Sequence, residues 1–278
     1  MAKNELMQLR NRAHELLRKQ DLPLPTPAVA RHLFGPRRHE LPETHAVVRT
    51  LLEDDPRFLQ THDGRWTVRG SRAVDVPLDD LTYAVVDLET SGSIIGVDEI
   101  IEIGVVVVRG GLVVQRFGSL VWSRRHIPPW VARLTGIRRP LLSGAPRFEE
   151  IAPTLVGLLE GAVFVAHDIR FDLPFLRWEF ERRELAFPPV TGLCTLRLAQ
   201  ALWPELGAWS LSGLSETLGV GHDHPHRALA DADAAAGILQ RCLERGAELG
   251  RSRLEDLYLL DHDPTVPGRD LEAHAAES

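Results

Sequence analysis

Apolar residues recur at helical spacing in the first quarter of the chain. Residues 4–19 place five apolar side chains on one side of a helix: Leu6, Leu9, Ala13, Leu16 and Leu17. A proline-rich stretch at 21–27 ends this helix. A second, short helix is predicted at 27–34, capped by Thr26 because Pro27 suits the first helical position. A third runs from a Thr44 cap to about Leu52.

Two short strand patterns follow these helices. Residues 57–61 and 65–69 flank His62-Asp63-Gly64, and Asp-Gly between two such runs is typical of a β-hairpin. Three short helices followed by a hairpin predict a small winged helix-turn-helix-like domain over residues 1–74. The alternative is a small helical accessory domain that has no role in binding nucleic acid.

The pattern changes at Leu81. Three strand-like segments, 82–89, 99–108 and 112–122, are joined by short connections, which indicates an antiparallel meander. Helical patterns then alternate with a short apolar strand at 162–167. This order predicts an α/β fold in which helices flank a mixed sheet. We expect a linker at 75–80, this α/β domain at 81–246 and a polar, acidic C-terminal tail with one apolar patch at 247–278.

Charge is unevenly divided between the two predicted domains. The formal net charge is -7 at pH 7, but residues 1–74 contain 13 basic and 9 acidic residues, and residues 75–278 contain 19 basic and 30 acidic ones. A basic module beside an acidic body suits the binding of a polyanion beside a metal site, although plain variation of surface charge explains it equally well.

The two cysteines, Cys194 and Cys242, have no neighbours at metal-ligand spacing, which disfavours a zinc site or a disulfide framework. No segment resembles a secretory signal, and no apolar stretch is long enough to cross a bilayer. We therefore expect a cytoplasmic protein that does not interact with membranes.

Four acids lie on faces that the patterns predict to be buried. Asp87 and Glu89 are two residues apart in a strand and leave the same sheet face. Asp172 and Asp231 each share a helical stripe with apolar residues. Any one of them alone could form an ion pair or cap a helix. Together they would repel strongly unless divalent cations lay among them, and ligation by oxygen alone suits Mg²⁺ or Mn²⁺.

A histidine-rich loop precedes the last of these acids. His226 lies five residues before Asp231, at the entry to the helix. With His222 and His224 it forms the sequence HDHPH, which could bind a transition metal. Alternating histidines in a loop that contains glycine and proline are more often solvated. His226 is selected as a candidate because it alone has a fixed spacing to an acid on a buried face.

The residues then resemble a known family. The segments Asp87-Leu-Glu89-Thr, His167-Asp-Ile-Arg-Phe-Asp172 and His226-Arg-Ala-Leu-Ala-Asp231 resemble, in order and spacing, the three motifs of the DEDDh exonucleases. This family includes the epsilon proofreading subunit of bacterial DNA polymerase III, RNase T and oligoribonuclease. The resemblance covers about 81–246 and implies a ribonuclease H-like fold. Many members have asparagine where this chain has Asp168, and residues 1–74 match nothing in the family core.

The resemblance implies a two-metal mechanism. Asp87, Glu89 and Asp231 would hold one ion, and Asp87 together with Asp172, through water, would hold the second. His226 is suited to accept a proton from the attacking water at neutral pH. Further substrate contacts are expected from three residues of the motifs: Thr90, His167 and Phe171.

The leading functional hypothesis is a 3′–5′ exonuclease that uses two Mg²⁺ or Mn²⁺ ions to remove nucleotides from DNA 3′ ends in repair or proofreading. Its expected partners are single-stranded or 3′-recessed nucleic acid, with DNA favoured over RNA, and a replication or repair protein. An exoribonuclease that trims RNA 3′ ends is the second hypothesis. A winged-helix DNA-binding regulator with an inactive nuclease domain is the third.

Overall fold

The N-terminal residues form three helices and a small sheet in the computed structural model, which describes residues 3–36, 41–61, 64–71 and 73–261. The elements are α1 (Lys3–Arg18), β1 (Leu24–Pro25), α2 (Thr26–Phe34), α3 (Pro42–Glu53), β2 (Phe58–Gln60) and β3 (Arg65–Val68). The strands are antiparallel in the order β1-β3-β2. Ala13, Leu17, Leu52 and Trp66 are among the side chains of a separate small core. The three predicted helices and the two hairpin strands are thus present, while His62 and Asp63 lie outside the described residues.

Two predicted helix caps are wrong. Thr26 is the first residue of α2 rather than its cap, and its hydroxyl accepts a hydrogen bond of 3.1 Å from the Trp66 indole nitrogen. Thr44 lies inside α3, which begins at Pro42. Proline has no N–H to satisfy and a backbone angle suited to the first helical turn, so α3 starts at the proline without a side-chain cap.

A five-stranded mixed sheet forms the larger part of the molecule. After a 3-10 helix at Leu78–Asp80 come β4 (Thr82–Thr90), β5 (Ile100–Arg109), β6 (Leu112–Leu120), β7 (Val163–Ala166) and β8 (Thr191–Cys194). The order is β6-β5-β4-β7-β8; β4, β5 and β6 are the predicted antiparallel meander, and β7 and β8 run parallel to β4. Strand β8 was not predicted, because four residues are too few to show a period and lie directly before a helix.

Helices cover both faces of this sheet, as predicted. They are α4 (Pro129–Thr135), α5 (Arg139–Leu142), α6 (Phe148–Leu159), α7 (Ile169–Glu181), α8 (Thr195–Leu202), α9 (Leu211–Leu218) and α10 (Ala228–Glu248). Side chains alternate along β4: Ala84 and Val86 join one core with α6 and α7, and Tyr83 and Val85 join a second with α8 and α10. The faces of β4 are therefore packed independently, and Asp87 and Glu89 continue the face of Tyr83 and Val85.

The C-terminal segment differs from the polar tail that we expected. Residues Leu254–Asp261 form an eleventh helix, α11, whose Leu254, Leu257 and Tyr258 are buried in the second core. The segment before it pairs with the expected linker: the Leu78 N–H donates to the Ser252 carbonyl at 3.0 Å. The single apolar patch of this segment is thus a packed helix face, since its apolar residues recur at helical spacing. Residues 262–278 lie outside the described part of the chain.

Within the described residues, the helices are all too short or too polar to span a membrane.

Candidate active site

The site is built at the end of strand β4. Asp87 and Glu89 point to the α10 side of the sheet and are each half-buried. Asp172 in the first turn of α7 and Asp231 in the first turn of α10 are buried, at 6% and 7% exposure. The Asp87 carboxylate is close enough to be repelled by Asp172, Asp231 and Glu89, so all four predicted acids share one location. The structure thus brings together residues from three separate motifs of the chain.

Close approach of α10 to the sheet depends on a glycine. Gly104 on β5 is the register partner of Asp87. A Cβ at this position would overlap the carbonyl group of Ala228 and lie 2.5 Å from the backbone nitrogen of Leu229. Only glycine therefore allows the first turn of α10 to rest against the strand, which places Asp231 beside Asp87. Gly104 was not among the predicted site residues, although a glycine inside an otherwise apolar strand is a signal of close backbone approach.

An ion pair fixes the start of the same helix. Glu102, which pairs with Glu89 in the sheet register and is 6% exposed, accepts hydrogen bonds from Arg227, the shortest being 2.7 Å. It also accepts a bond of 3.0 Å from the backbone N–H of Ala228. A buried carboxylate at a helix N-terminus is stabilised both by this donor and by the helix dipole. Glu102 was not predicted as a site residue, and its effect is to hold the loop and helix that carry His226 and Asp231.

The predicted histidine lies beside the acids. A ring nitrogen of His226 and carboxylate oxygens of Glu89 and Asp231 lie within 4.8 Å of one another. The His226 backbone N–H donates to Asp231 Oδ2 at 3.1 Å, and its ring is exposed. The residue adopts a left-handed conformation with φ of 63°. Such a conformation is uncommon for a residue with a side chain, and it orients the ring at the open side of the site.

A second histidine contacts Asp231 directly. His222 Nε2 lies 2.7 Å from Asp231 Oδ1, and His222 Nδ1 lies 3.2 Å from the Ser212 hydroxyl. The His222 side chain is only 8% exposed. The expectation that His222 is a solvated loop residue is therefore wrong. A left-handed turn at His224, with φ of 56°, returns the loop toward α10 and brings His222 over the acid.

The electrostatics of the cluster are unfavourable for free carboxylates. Burial raises the pKa of Asp87 well above its usual value, and repulsion from Asp172 adds to this. Burial, with repulsion from Asp231 and Glu102, raises the pKa of Glu89 to about 8. The pKa of Asp172 is also raised, first by burial and then by Asp168. Clustered acids of this kind are typical of sites in which a cation supplies the missing positive charge.

The unusual acid at position 168 has a partner. Asp168 caps α7 and forms a two-pronged ion pair with Arg170, with distances of 3.0 and 3.1 Å. The positive Arg170 guanidinium compensates the negative charge of Asp168, which an asparagine at this position would not carry.

Asp172, one turn further along α7, accepts hydrogen bonds from the backbone of Leu88 and from its own backbone. These bonds lower the pKa of Asp172, against the larger effect of burial, which raises it.

The three predicted substrate contacts differ in their surroundings. The Thr90 hydroxyl donates to the Gly92 carbonyl at 2.6 Å, inside the turn that follows β4. Phe171 is half-buried and packs against Phe175 with ring centroids 5.2 Å apart. The ring nitrogens of His167 lie 3.1 Å from the Thr195 hydroxyl and 3.0 Å from the Trp209 carbonyl. His167 thus ties β7 to the start of α8 and to the loop before α9.

The arrangement fits hard divalent cations. The four acids offer carboxylate oxygens, a His226 ring nitrogen lies beside two of them, and both cysteines are free and buried. Oxygen ligands and clustered negative charge are what Mg²⁺ and Mn²⁺ prefer. The exposed His226 imidazole lies beside these acids.

Comparison with known proteins agrees with this chemistry. The chain is 36% identical over 179 residues to the 3′-5′ exonuclease DinG of Staphylococcus epidermidis, and 35% identical over 179 residues to that of Bacillus subtilis. Each alignment covers 64% of this chain but only about one fifth of the relative, 20% and 19% respectively.

Two solved structures show the same fold. The nuclease domain of 3′hExo, a DEDDh family member bound to rAMP, has a TM-score of 0.53 and 21% identity, covering 62% of this chain and 96% of that chain. E. coli Exonuclease I in complex with a dT13 oligonucleotide has a TM-score of 0.55 and 19% identity, covering 62% and 43%. The RNase T exonuclease family matches residues 84–239, more than half of the chain and all of the acids described above. The chain therefore belongs to the RNase T exonuclease family.

Proposed function

We propose that this protein is a 3′–5′ exonuclease that removes nucleotides from DNA 3′ ends in repair or proofreading. The observation that carries the proposal is the cluster of Asp87, Glu89, Asp172 and Asp231 with His226 at its open side. The names of the DinG relatives support the direction of cleavage. Because the chain spans about a fifth of those relatives, its substrate and pathway rest on the site and on experiment.

The four acids are the proposed metal ligands. Asp87, Glu89 and Asp231 would hold one Mg²⁺ or Mn²⁺ ion, and Asp87, with Asp172 through water, would hold a second. Bound ions would supply Lewis acidity to the attacking water and to the leaving 3′ oxygen. The carboxylates would orient both ends of an in-line displacement, and their mutual repulsion would be relieved on loading.

His226 is the proposed general base. Its ring is exposed beside Glu89 and Asp231, so it can accept a proton from water held among the acids. The hydrogen bond from the His226 backbone N–H to Asp231 holds the imidazole near the acids without engaging the ring nitrogens. The alternative role, a metal ligand, is distinguished by metal titration of a His226 variant.

Thr90, Phe171 and His167 are the proposed substrate contacts. The Thr90 turn would meet the terminal 3′-hydroxyl, and the half-buried Phe171 ring would pack against the terminal nucleotide. His167 would act mainly by holding the loop at Trp209, since its ring nitrogens already bond the protein.

The N-terminal domain is proposed to be a winged helix that holds duplex nucleic acid. Its three helices, its hairpin and its excess of basic residues support this role. Five arginines of this domain are proposed to contact phosphates. Arg31, Arg65 and Arg69 belong to the described residues, and Arg37 and Arg38 lie outside them.

The test is hydrolysis of matched 5′-labelled single-stranded DNA and RNA oligomers with Mg²⁺ or Mn²⁺. Stepwise loss from the 3′ end, faster on DNA, is expected. Asp87→Ala should abolish it, because Asp87 is assigned to both ions, whereas Asp80→Ala, at an exposed acid of the 3-10 helix, should not. Near-wild-type activity in Asp87→Ala would contradict the metal assignment, and faster loss from RNA would make the protein an RNA-trimming enzyme.

A further inference from the structure

One segment at the surface of the acidic domain is rich in arginine. Residues 122–147 contain six arginines and no aspartate or glutamate, although residues 75–278 as a whole contain 30 acids and 19 basic residues. Five of these arginines are exposed, and we call them the arginine surface: Arg124, Arg133, Arg138, Arg139 and Arg147. This segment therefore carries a local excess of positive charge within a domain of opposite net charge.

Contacts around one indole ring hold part of this surface together. The Arg147 guanidinium lies 4.7 Å from the centre of the Trp122 ring, and the Arg139 guanidinium lies 5.9 Å from it. Arg139 also donates to the backbone carbonyls of Ser123 and Arg125. Stacking and backbone bonds restrain these long side chains, so that less entropy is lost when a ligand binds them.

Much of the positive charge is uncompensated. Arg124 pairs with Glu99 at 3.1 Å, and the Glu150 carboxylate accepts a hydrogen bond of 2.6 Å from the Arg147 backbone N–H. Within the described residues, Arg133, Arg138 and Arg139 form no ion pair with a carboxylate. Arg133 and Arg138 lie on α4 and directly before α5, on either side of a left-handed glycine turn at Gly136. Both therefore project from a fixed backbone into solvent.

The arginine surface lies at the catalytic end of the sheet. Helix α4 packs through Val131, with Ile127 and Ile137, onto Ile101 at the start of β5. Ile101 precedes Glu102, the register partner of Glu89, and its side chain leaves the opposite face of β5. The two faces meet at this end of the sheet, so the arginine surface and the acids lie at the same end. Glu99 links the arginine surface to the turn after β4. Its carboxylate accepts a hydrogen bond of 2.7 Å from the Ser123 hydroxyl, and its backbone carbonyl accepts one from the Ser91 N–H.

We propose that the arginine surface binds the phosphodiester backbone of the substrate strand upstream of the nucleotides in the active site. This inference rests on the proposed nuclease function and adds a second, length-dependent binding region to it. Planar guanidinium groups match phosphate oxygens, and a continuous strand offers one charge per nucleotide beside the site. An acidic protein partner would need matching carboxylates and has no comparable reason to lie next to the acids of the site.

The test uses the full chain with Arg133→Ala and Arg138→Ala combined. A matched control, Arg241→Ala with Arg245→Ala, removes two arginines of α10, each of which pairs with a glutamate one turn away. Binding of a fluorescent single strand of about 20 nucleotides is measured in EDTA at several salt concentrations. The slope of log affinity against log salt should become shallower by about 1.4 in the test variant, since about 0.7 is lost per phosphate contact on single strands. The control should keep the wild-type slope.

Two further measurements make the outcome decisive. The variant Arg133→Lys with Arg138→Lys retains both positive charges and should restore most of the wild-type slope. Recovery by lysine shows that the slope follows the charge at these two positions. With Mn²⁺, KM should rise for the long strand but stay unchanged for a trinucleotide. Identical slopes in the wild type and the Ala variant would overturn the proposal, whereas absence of hydrolysis by the wild type would overturn the nuclease function and leave the binding result interpretable. A 3′-recessed duplex, run in parallel, shows whether the paired strand uses the same surface.

Discussion

Replacing Gly104 with alanine tests how the helix that carries Asp231 is positioned. The added methyl group would overlap the backbone of Ala228 and lie 2.5 Å from that of Leu229, and backbone cannot rotate away as a side chain can. Inserting a methyl group into a packed interface of this kind costs about 1–3 kcal/mol. The melting temperature should therefore fall by about 2–12 °C, at about 2–4 °C for each kcal/mol in a protein of this size. If α10 shifts by about 1 Å to remove this steric overlap, Asp231 moves with the helix, and kcat should fall about 100-fold.

Two glycines provide matched controls. A methyl group at Gly157, inside α6, meets nothing within 4 Å, so Gly157→Ala should stabilise the fold by about 0.5–1 kcal/mol and leave kcat unchanged. Gly118→Ala meets the side chain of Leu229 at 3.0 Å, which can adjust, and its effect should be smaller than that of Gly104→Ala. The assay is thermal unfolding, together with steady-state hydrolysis of a single-stranded oligomer at saturating Mn²⁺. Wild-type melting temperature and kcat in Gly104→Ala would refute the proposed role of this glycine in positioning α10.

Four further outcomes are expected. His222→Ala should weaken Mn²⁺ binding about 10–100-fold, the usual effect of losing a hydrogen bond to a ligating carboxylate, and His222→Gln should recover part of it; calorimetric titration measures both, and unchanged affinity in the alanine variant contradicts the role. His226→Ala should lower kcat by about 10²–10⁴-fold and keep metal binding, so loss of an ion in the same titration would make His226 a ligand. Millimolar Mn²⁺ should raise the melting temperature, because a cation that binds only the native acids adds stability by mass action; no shift would argue that the acids do not form one site. Arg31→Ala with Arg69→Ala should weaken binding to a 3′-recessed duplex and make its salt dependence shallower, and an unchanged slope would leave the winged helix without its proposed role.

Local periodicity was sufficient to find the acids. Two residues in a strand share a face when they are two apart, so the strand repeat alone places Asp87 and Glu89 together. Helical spacing likewise put Asp172 and Asp231 on buried stripes, and both are buried. Order and spacing of the three motifs then indicated the family, since these depend only on the covalent chain. The antiparallel meander was also predictable, because short connections between long strands leave few alternatives.

Contacts between distant segments could not be obtained in this way. His222 was expected to be solvated because its neighbours are polar, glycine and proline. Its contact with Asp231 depends on left-handed turns at His224 and His226 that no periodic pattern records. Helix α11 was expected to belong to a polar tail, because the sequence does not reveal which other segment packs on its single apolar patch. It is covered by the second core.

The identity of the acids and the face of each element that they occupy follow from the chain alone, because a face is set by the repeat of the local backbone. How near those faces come to one another is a property of the folded molecule. That distance depends on side-chain volume at the contact, and here on the missing side chain of Gly104, which lets α10 lie against β5. It depends equally on the Glu102–Arg227 pair, whose partners are 125 residues apart and which fixes the entry to the helix. Volume and pairing across such separations arise only on folding, since any one segment contains only one of the two partners.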